Sequence, residues 1–313
     1  MLSLIQHYPS GLFPHIKSGF EREPFLPEAG KQVILGCRME NPAFQVTLSY
    51  SFNGEKQPDI KGTFAWDNEQ WTYTTFTVTL PDKPCHMEYL FEAENGSRSE
   101  SFTVESVSIN DILIGKQEDE RFLLLSQSLN NVSVSFFDSL SVKVNDEYLK
   151  ESSIRSNINK SSTELAWLAP RIRVWQDQNG KTYQAELNFT LRGSALYGFG
   201  EKFDRVNQAG LSPLSYVVEQ FSDQQDKSYI PIPFFFTEAG VGFLLHGTWK
   251  TRFVTKQNEN GFIDIQVLTE CPQDGILFEA ELFTGTPPEL IQKYTEKTGK
   301  PALPPKWAFG PWM

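Results

Sequence analysis

The chain has 313 residues and carries 39 acidic against 28 basic side chains, a formal net charge of −11. That balance speaks against nucleic acid as a partner, since a phosphate backbone demands clustered Lys and Arg. Its 13% aromatic content, dominated by 25 Phe, supplies enough apolar surface for a core and excludes global disorder. The most apolar stretch, Ile230–Phe236, is short and contains two prolines, so no membrane span is expected.

The first twenty residues lack a basic start, an apolar block and a small-residue cleavage site. No secretory leader is read there, and a cytoplasmic protein is expected. Cys37, Cys85 and Cys271 are far apart and form no CxxC, which reads as buried free thiols. His7, His15, His86 and His246 show no metal-ligand spacing, and neither a phosphate loop nor a dinucleotide glycine fingerprint occurs. No cofactor is therefore expected.

Alternation of period two runs through most of the chain. Phe76, Val78 and Leu80 interleave with Thr75, Thr77 and Thr79; Tyr183, Ala185, Leu187 and Phe189 with Gln184, Glu186 and Asn188; Ile263, Ile265 and Val267 with Asp264 and Gln266. Such segments are strands with one face on a core. Asn53-Gly54, Asn95-Gly96, Asn179-Gly180 and Asn260-Gly261 sit between strand-like runs and predict hairpins with type I′ turns. Trp71 and Tyr73 have the opposite parity to Phe76, Val78 and Leu80. They are candidates for a sugar-stacking platform on the outer face, set against burial under another segment. Trp66 is weighed between the same two readings, behind Trp71 and Tyr73.

The fold class is all-β, in sandwich form. Residues 1–105 hold an N-terminal segment and an immunoglobulin- or fibronectin-like sandwich; a larger β run covers 106–285. One helix follows: Thr286 as cap, Pro287 at the first helical position, Glu289 to complete a capping box, and Leu290, Ile291 and Tyr294 as its apolar stripe. Pro301, Pro304 and Pro305 forbid its continuation. Trp307–Met313 reads as an apolar strand without a partner, so residues 286–313 are expected to open a further domain that the chain lacks.

Three segments carry a resemblance. They are Leu196-Tyr-Gly-Phe-Gly-Glu-Lys-Phe-Asp204-Arg205-Val-Asn207-Gln-Ala-Gly210, Ile230-Pro-Ile-Pro-Phe-Phe-Phe-Thr-Glu-Ala-Gly-Val-Gly-Phe243, and Gly285-Thr-Pro-Pro-Glu-Leu-Ile-Gln-Lys-Tyr294 running on through Pro-Pro-Lys-Trp307-Ala-Phe-Gly310. In this order they resemble the N-terminal half of glycoside hydrolase family 31, the α-glucosidases and α-xylosidases. The resemblance implies a galactose-mutarotase-like β-sandwich ahead of a (β/α)8 barrel whose first strand begins near Trp307. It also implies a retaining hydrolase acting on oligosaccharides or α-glucosides, with both catalytic Asp in the barrel. Retaining chemistry needs two carboxyl groups about 5–5.5 Å apart, and no catalytic residue is assigned to this chain.

Glu201 and Asp204 could form an acid–base pair by their spacing alone, but Gly198 and Gly200 point to a backbone requirement and a packing role. In the family a sandwich loop offers an Asp to the sugar from an Asn-Arg-Asp run. That run is absent, and Gln220 falls at the corresponding place, with Glu219, Asp223 and Asp226 as nearby substitutes. A solvated loop is the plain alternative. The rival functions are a carbohydrate-binding module and a mutarotase-like epimerase; the latter needs a His–Glu pair, and nothing near His246 in the sequence supplies one.

Overall fold

The structure is a computed structural model. It describes residues 4–10, 17–41, 43–112, 114–116, 122–124, 132–136, 139–144, 168–218, 228–258, 261–270, 276–300 and 302–309. His15 and Cys271 lie outside them. As expected, the chain is built of strands, with one α-helix among the described residues. It divides into two compact units, residues 1–110 with 175–183 and residues 111–174 with 184–313.

The first unit is a sandwich of two antiparallel sheets. One runs Ile5–Gln6, Gln32–Glu40, Trp71–Thr79, Thr63–Asp67, with Arg22–Glu23 also on Gln32–Glu40; the other runs Phe102–Glu105, His86–Ala93, Val46–Phe52, Glu55–Lys56, with Ile60–Lys61 also on Val46–Phe52. Val33, Leu35, Phe76 and Val78 meet Leu48, Met87, Tyr89 and Phe91 in the core. Each such large apolar side chain contributes about 1.5–3 kcal/mol by leaving water. Cys37 and Cys85 are buried free thiols, and burial pushes both thiols up from their ordinary range.

The outer face of the first sheet is covered at one end by Gly19 and Phe20, just ahead of Arg22–Glu23. Their passage depends on Gly36, where a Cβ would stand 2.3 Å from the Gly19 carbonyl oxygen. Phe20 is buried and packs on Tyr73, and Gly36 N–H donates to Glu21 O at 2.9 Å.

The type I′ expectation holds at one of the Asn-Gly pairs. Asn53 and Gly54 both take positive φ, 50° and 83°, between Phe52 and its partner Glu55. At Gly96 and Gly180 only the glycine is left-handed, and the turns close as Ala93 N–H to Ser97 O and Asp177 N–H to Lys181 O. These are three-residue loops with Gly at the last position, a form in which Asn keeps an ordinary φ. Gly261 is left-handed at φ 73°, in a loop of the same length closed by Asn258 N–H to Phe262 O; Asn260 lies outside the described residues.

The larger sandwich pairs two six-stranded sheets. One runs Ser108–Ile112, Leu168–Gln176, Thr182–Arg192, Phe262–Glu270, Thr251–Gln257, Leu214–Ser215; the other runs Val132–Phe136, Ser139–Val144, Ile276–Thr284, Val241–Leu245, Pro231–Thr237, Leu196–Gly200. The alternating residues Leu187, Phe189, Leu191, Ile263, Ile265 and Val267 face Leu196, Phe235, Phe243 and Ala280. Phe243 stacks on both Phe189 and Phe235, with centroids 5.2 and 5.0 Å apart.

Helix α1 (Pro287–Thr298) lies on the outer side of the second of these sheets. Glu289 Oε2 accepts from the Thr286 backbone N–H at 2.7 Å and from its hydroxyl at 2.9 Å. Leu290 is wholly buried against Phe234, Leu244 and Phe283, and Tyr294 stacks on Phe234 at 4.3 Å. Lys297 and His246 both bond to Glu281 on the strand beneath. Burial would raise the Glu281 carboxyl, but these two partners hold it below its ordinary value.

The strand expected at Trp307–Met313 is corrected over its described part. Lys306–Phe309 forms a short 3-10 helix, and Trp307 is 69% exposed. Pro304 and Pro305 remove two backbone donors just ahead of it, and the alternative to a ladder is a tight local turn. Residues 310–313 lie outside the described set.

Candidate functional site

The Leu196–Gly200 strand ends in a distortion that sets the site. Gly198, Phe199 and Gly200 all take positive φ, at 120°, 67° and 81°. The pairing with Pro231–Thr237 slips there, so that Gly198 opposes Phe235 while Gly200 opposes Pro231. Both glycines lie against backbone: an added Cβ would be 2.5 Å from Phe234 O at Gly198 and 2.0 Å from Ile230 O at Gly200. Phe199 is the one described non-glycine residue besides Asn53 with a positive φ. It is held by burial, stacked on Phe235 at 4.8 Å and leaning on Phe253 at 5.1 Å. Strain of this kind persists only where surrounding packing over-determines it.

Beyond the bulge the chain leaves the sheet and is stitched down by its own side chains. Asn207 Oδ1 accepts from Leu196 N–H and Ala209 N–H, both at 3.0 Å. Arg205 Nη2 donates to Ala209 O at 2.8 Å, and Thr255 Oγ1 accepts from Gly210 N–H at 2.9 Å. Asp204 Oδ1 accepts from Arg205 N–H at 2.6 Å and from Gln208 Nε2 at 2.9 Å. Gln208 is buried, and its Oε1 is without a hydrogen-bond partner. The motif acids are thereby separated in role: Asp204 caps a turn, and Glu201 is exposed.

Around this base lies a rim of exposed apolar side chains: Phe203, Val206, Tyr216, Val217, Ile230 and Trp249. Pairing gathers them. Glu201 N–H donates to Ile230 O, Val217 bridges Ser228, and Ser215 pairs with Thr251. The sequence motif marks the bulge but not the rim, because nothing in local periodicity says that Trp249 or Val206 faces outward.

Glu219, Gln220, Asp223 and Asp226 lie outside the described residues. Tyr73 and Trp71 share the outer face, as their parity predicts, but Tyr73 is only 4% exposed. Trp66 stacks on it at 3.6 Å, and the Arg38 guanidinium stands 4.3 Å over the Trp71 ring. Tyr73 is therefore a support, not a platform. His246 does have a carboxylate partner, Glu281 at 2.8 Å, which sequence reasoning missed because it sits 35 residues away. Glu281 is also tied to Lys297, so the cluster anchors helix α1. Among the described residues no group of three His, Cys, Asp or Glu is gathered to hold a metal ion, and no helix is long and apolar enough to cross a membrane.

Comparison with known proteins bears on this architecture. An isomaltosyltransferase of Sporosarcina globispora is 22% identical over 286 residues, covering 85% of this chain and 26% of that protein. An α-glucosidase of Saccharolobus solfataricus is 31% identical over 170 residues, 52% of this chain and 22% of its own length. The cycloalternan-forming enzyme of Listeria monocytogenes, solved with a pentasaccharide substrate, superposes with a TM-score of 0.70 at 18% identity, over 98% of this chain and 34% of that one. The chain thus spans about a quarter to a third of the isomaltosyltransferase and of the Listeria enzyme. The family model of the glycosyl hydrolase 31 N-terminal galactose mutarotase-like domain matches residues 34–253, and the chain belongs to that family.

Proposed function

We propose that this chain is the non-catalytic N-terminal portion of a retaining α-glycosidase of the α-glucosidase type. It serves as the scaffold on which a catalytic barrel sits, and it lines substrate entry. The observation that carries the reading is the division of labour at the Leu196–Gly210 motif. Its Asp, though exposed, caps a turn through Oδ1, while the segments around it carry exposed apolar side chains. A face of that kind suits packing against another domain and does not suit acid–base work on a glycosidic bond. In the same reading Gln220, with Glu219, Asp223 and Asp226, belongs to the loop nearest the substrate, and the protein acts in the cytoplasm on α-linked glucosides.

The test is an assay of this chain with an aryl α-glucoside. No turnover is expected. Release of the aryl group that co-purifies with the chain through two unrelated separations would overturn the proposal.

A further inference from the structure

The first unit carries an indole whose surroundings exceed what packing requires. Trp66 lies on the edge strand Thr63–Asp67, with its ring stacked on Tyr73 at 3.6 Å and an interplanar angle of 12°. Tyr73 is itself buried, packed on Phe20, with its hydroxyl accepting from Arg38 Nη1 at 3.4 Å. Arg38 in turn is clamped between Phe20 and Trp71, 4.2 and 4.3 Å from their ring centres, and its Nε donates to Gln6. Trp66 thus rests on a fixed ladder of rings and one guanidinium, yet it stays 44% exposed. One face of the ring is taken by Tyr73, and the residue's exposed area is elsewhere on it.

We propose that Trp66 is the centre of a carbohydrate-binding surface on the outer face of the first sandwich, taking a pyranose ring of an α-linked gluco-oligosaccharide. Three features favour that ligand. The C–H face of a pyranose matches the π face of an aromatic ring, and Trp offers the largest such area with a polar edge. A ring already held in place loses little rotamer freedom on binding, which lowers the entropic cost. Neutral hydroxyls stand on the same face, beside the Arg38 guanidinium. Thr63 pairs with Thr75 on the face that carries Tyr73, and Thr77 and Thr79 continue that row. Hydroxyls accept from and donate to sugar hydroxyls without the desolvation cost of an ion. A single exposed indole offers far less area than a stable protein interface, which buries on the order of 1,000 Å² or more.

The α-linkage rests on the proposed function; the stacking site does not. The experiment is calorimetric titration of the intact chain with maltoheptaose, in parallel with cellopentaose. Saturable binding of maltoheptaose is expected with a Kd of ~1–10 mM, as fits one stacked ring. Trp66→Ala is expected to weaken it about tenfold or more, and Trp66→Phe, which keeps a ring on Tyr73, to retain part of it. Near-ultraviolet circular dichroism checks that each variant is folded. Absence of saturable binding, or binding that Trp66→Ala leaves unchanged, overturns the site. Tighter binding of cellopentaose overturns the α-linked assignment. Neither result bears on whether the chain hydrolyses an aryl glucoside, so a failure of this site stays distinct from a failure of the scaffold reading.

Discussion

Gly200→Ala is expected to destabilise the chain by about 2–5 kcal/mol, although it adds one methyl group. Two costs combine. The position has φ 81°, and a left-handed conformation costs a residue with a Cβ about 1–2 kcal/mol. The new Cβ would also stand 2.0 Å from Ile230 O and 2.8 Å from Ile232 N. These are backbone atoms at the start of the neighbouring strand and just ahead of it, so no rotamer change relieves the contact, and displacing packed structure costs about 1–3 kcal/mol more. Gly180→Ala separates the terms: Gly180 also has positive φ, at 79°, but nothing lies within 4 Å of its added Cβ. It should lose only the conformational part. Denaturant unfolding of the two variants beside the parent measures the difference, and equal losses would show that the bulge has no close-approach requirement.

That bulge also shows how far the sequence could be read. Two glycines flanking Phe199 signal a backbone constraint, and the constraint is there. The sequence does not reveal that Phe199 itself goes left-handed, because that follows from its burial against Phe235 and Phe253, which lie 36 and 54 residues further on. Strands were legible wherever one face is buried, since period two records the two sides directly; Leu187, Phe189, Ile263 and Ile265 all point into the core. Parity also placed Trp71 and Tyr73 correctly on the outer face. It could not say that Phe20 and Trp66 cover Tyr73, because a segment crossing a sheet leaves no trace in the periodicity of the strands beneath. The turns divide the same way. Asn-Gly marks a reversal, but whether the loop has two or three residues is decided by strand register, which is a tertiary quantity.

The scaffold reading draws the two sandwiches into different roles. In the larger one, helix α1 is fastened at both ends of its contact surface, by Leu290 and Tyr294 on Phe234 and by Lys297 on Glu281. A helix held this firmly transmits the position of its sheet to whatever follows it in the chain. In the smaller one, the aromatic ladder under Trp66 spends burial on an outer face, where a sandwich does not need it for its core.

The stability of the first unit is expected to fall by about 3 kcal/mol from well above pH 6.5 to below pH 4 through His7 alone. His7 is buried; its Nδ1 donates to Gly36 O at 2.6 Å, so in the neutral ring Nε2 accepts from the Tyr89 hydroxyl at 3.0 Å. Arg22 Nη1 also donates to that hydroxyl. A second ring proton would face an oxygen already receiving a cationic donor, and it would place a charge in the core beside Phe91 and Phe102. Burial, with Arg22 adding to it and the Gly36 bond opposing it, lowers the pKa from 6.5 to about 4. The unfolded chain therefore takes up the proton first. The contribution is complete well above pH 6.5, is lost as pH falls through 4, and levels off below that. The gap between the two values corresponds to about 3 kcal/mol. His7→Gln removes the titration, and hydrogen exchange at the Leu35 and Gly36 amides across this range compares the two proteins. Carboxylates titrate in both alike, so the difference between them isolates His7. The same pH slope in parent and variant would mean that the imidazole is not buried in its neutral form.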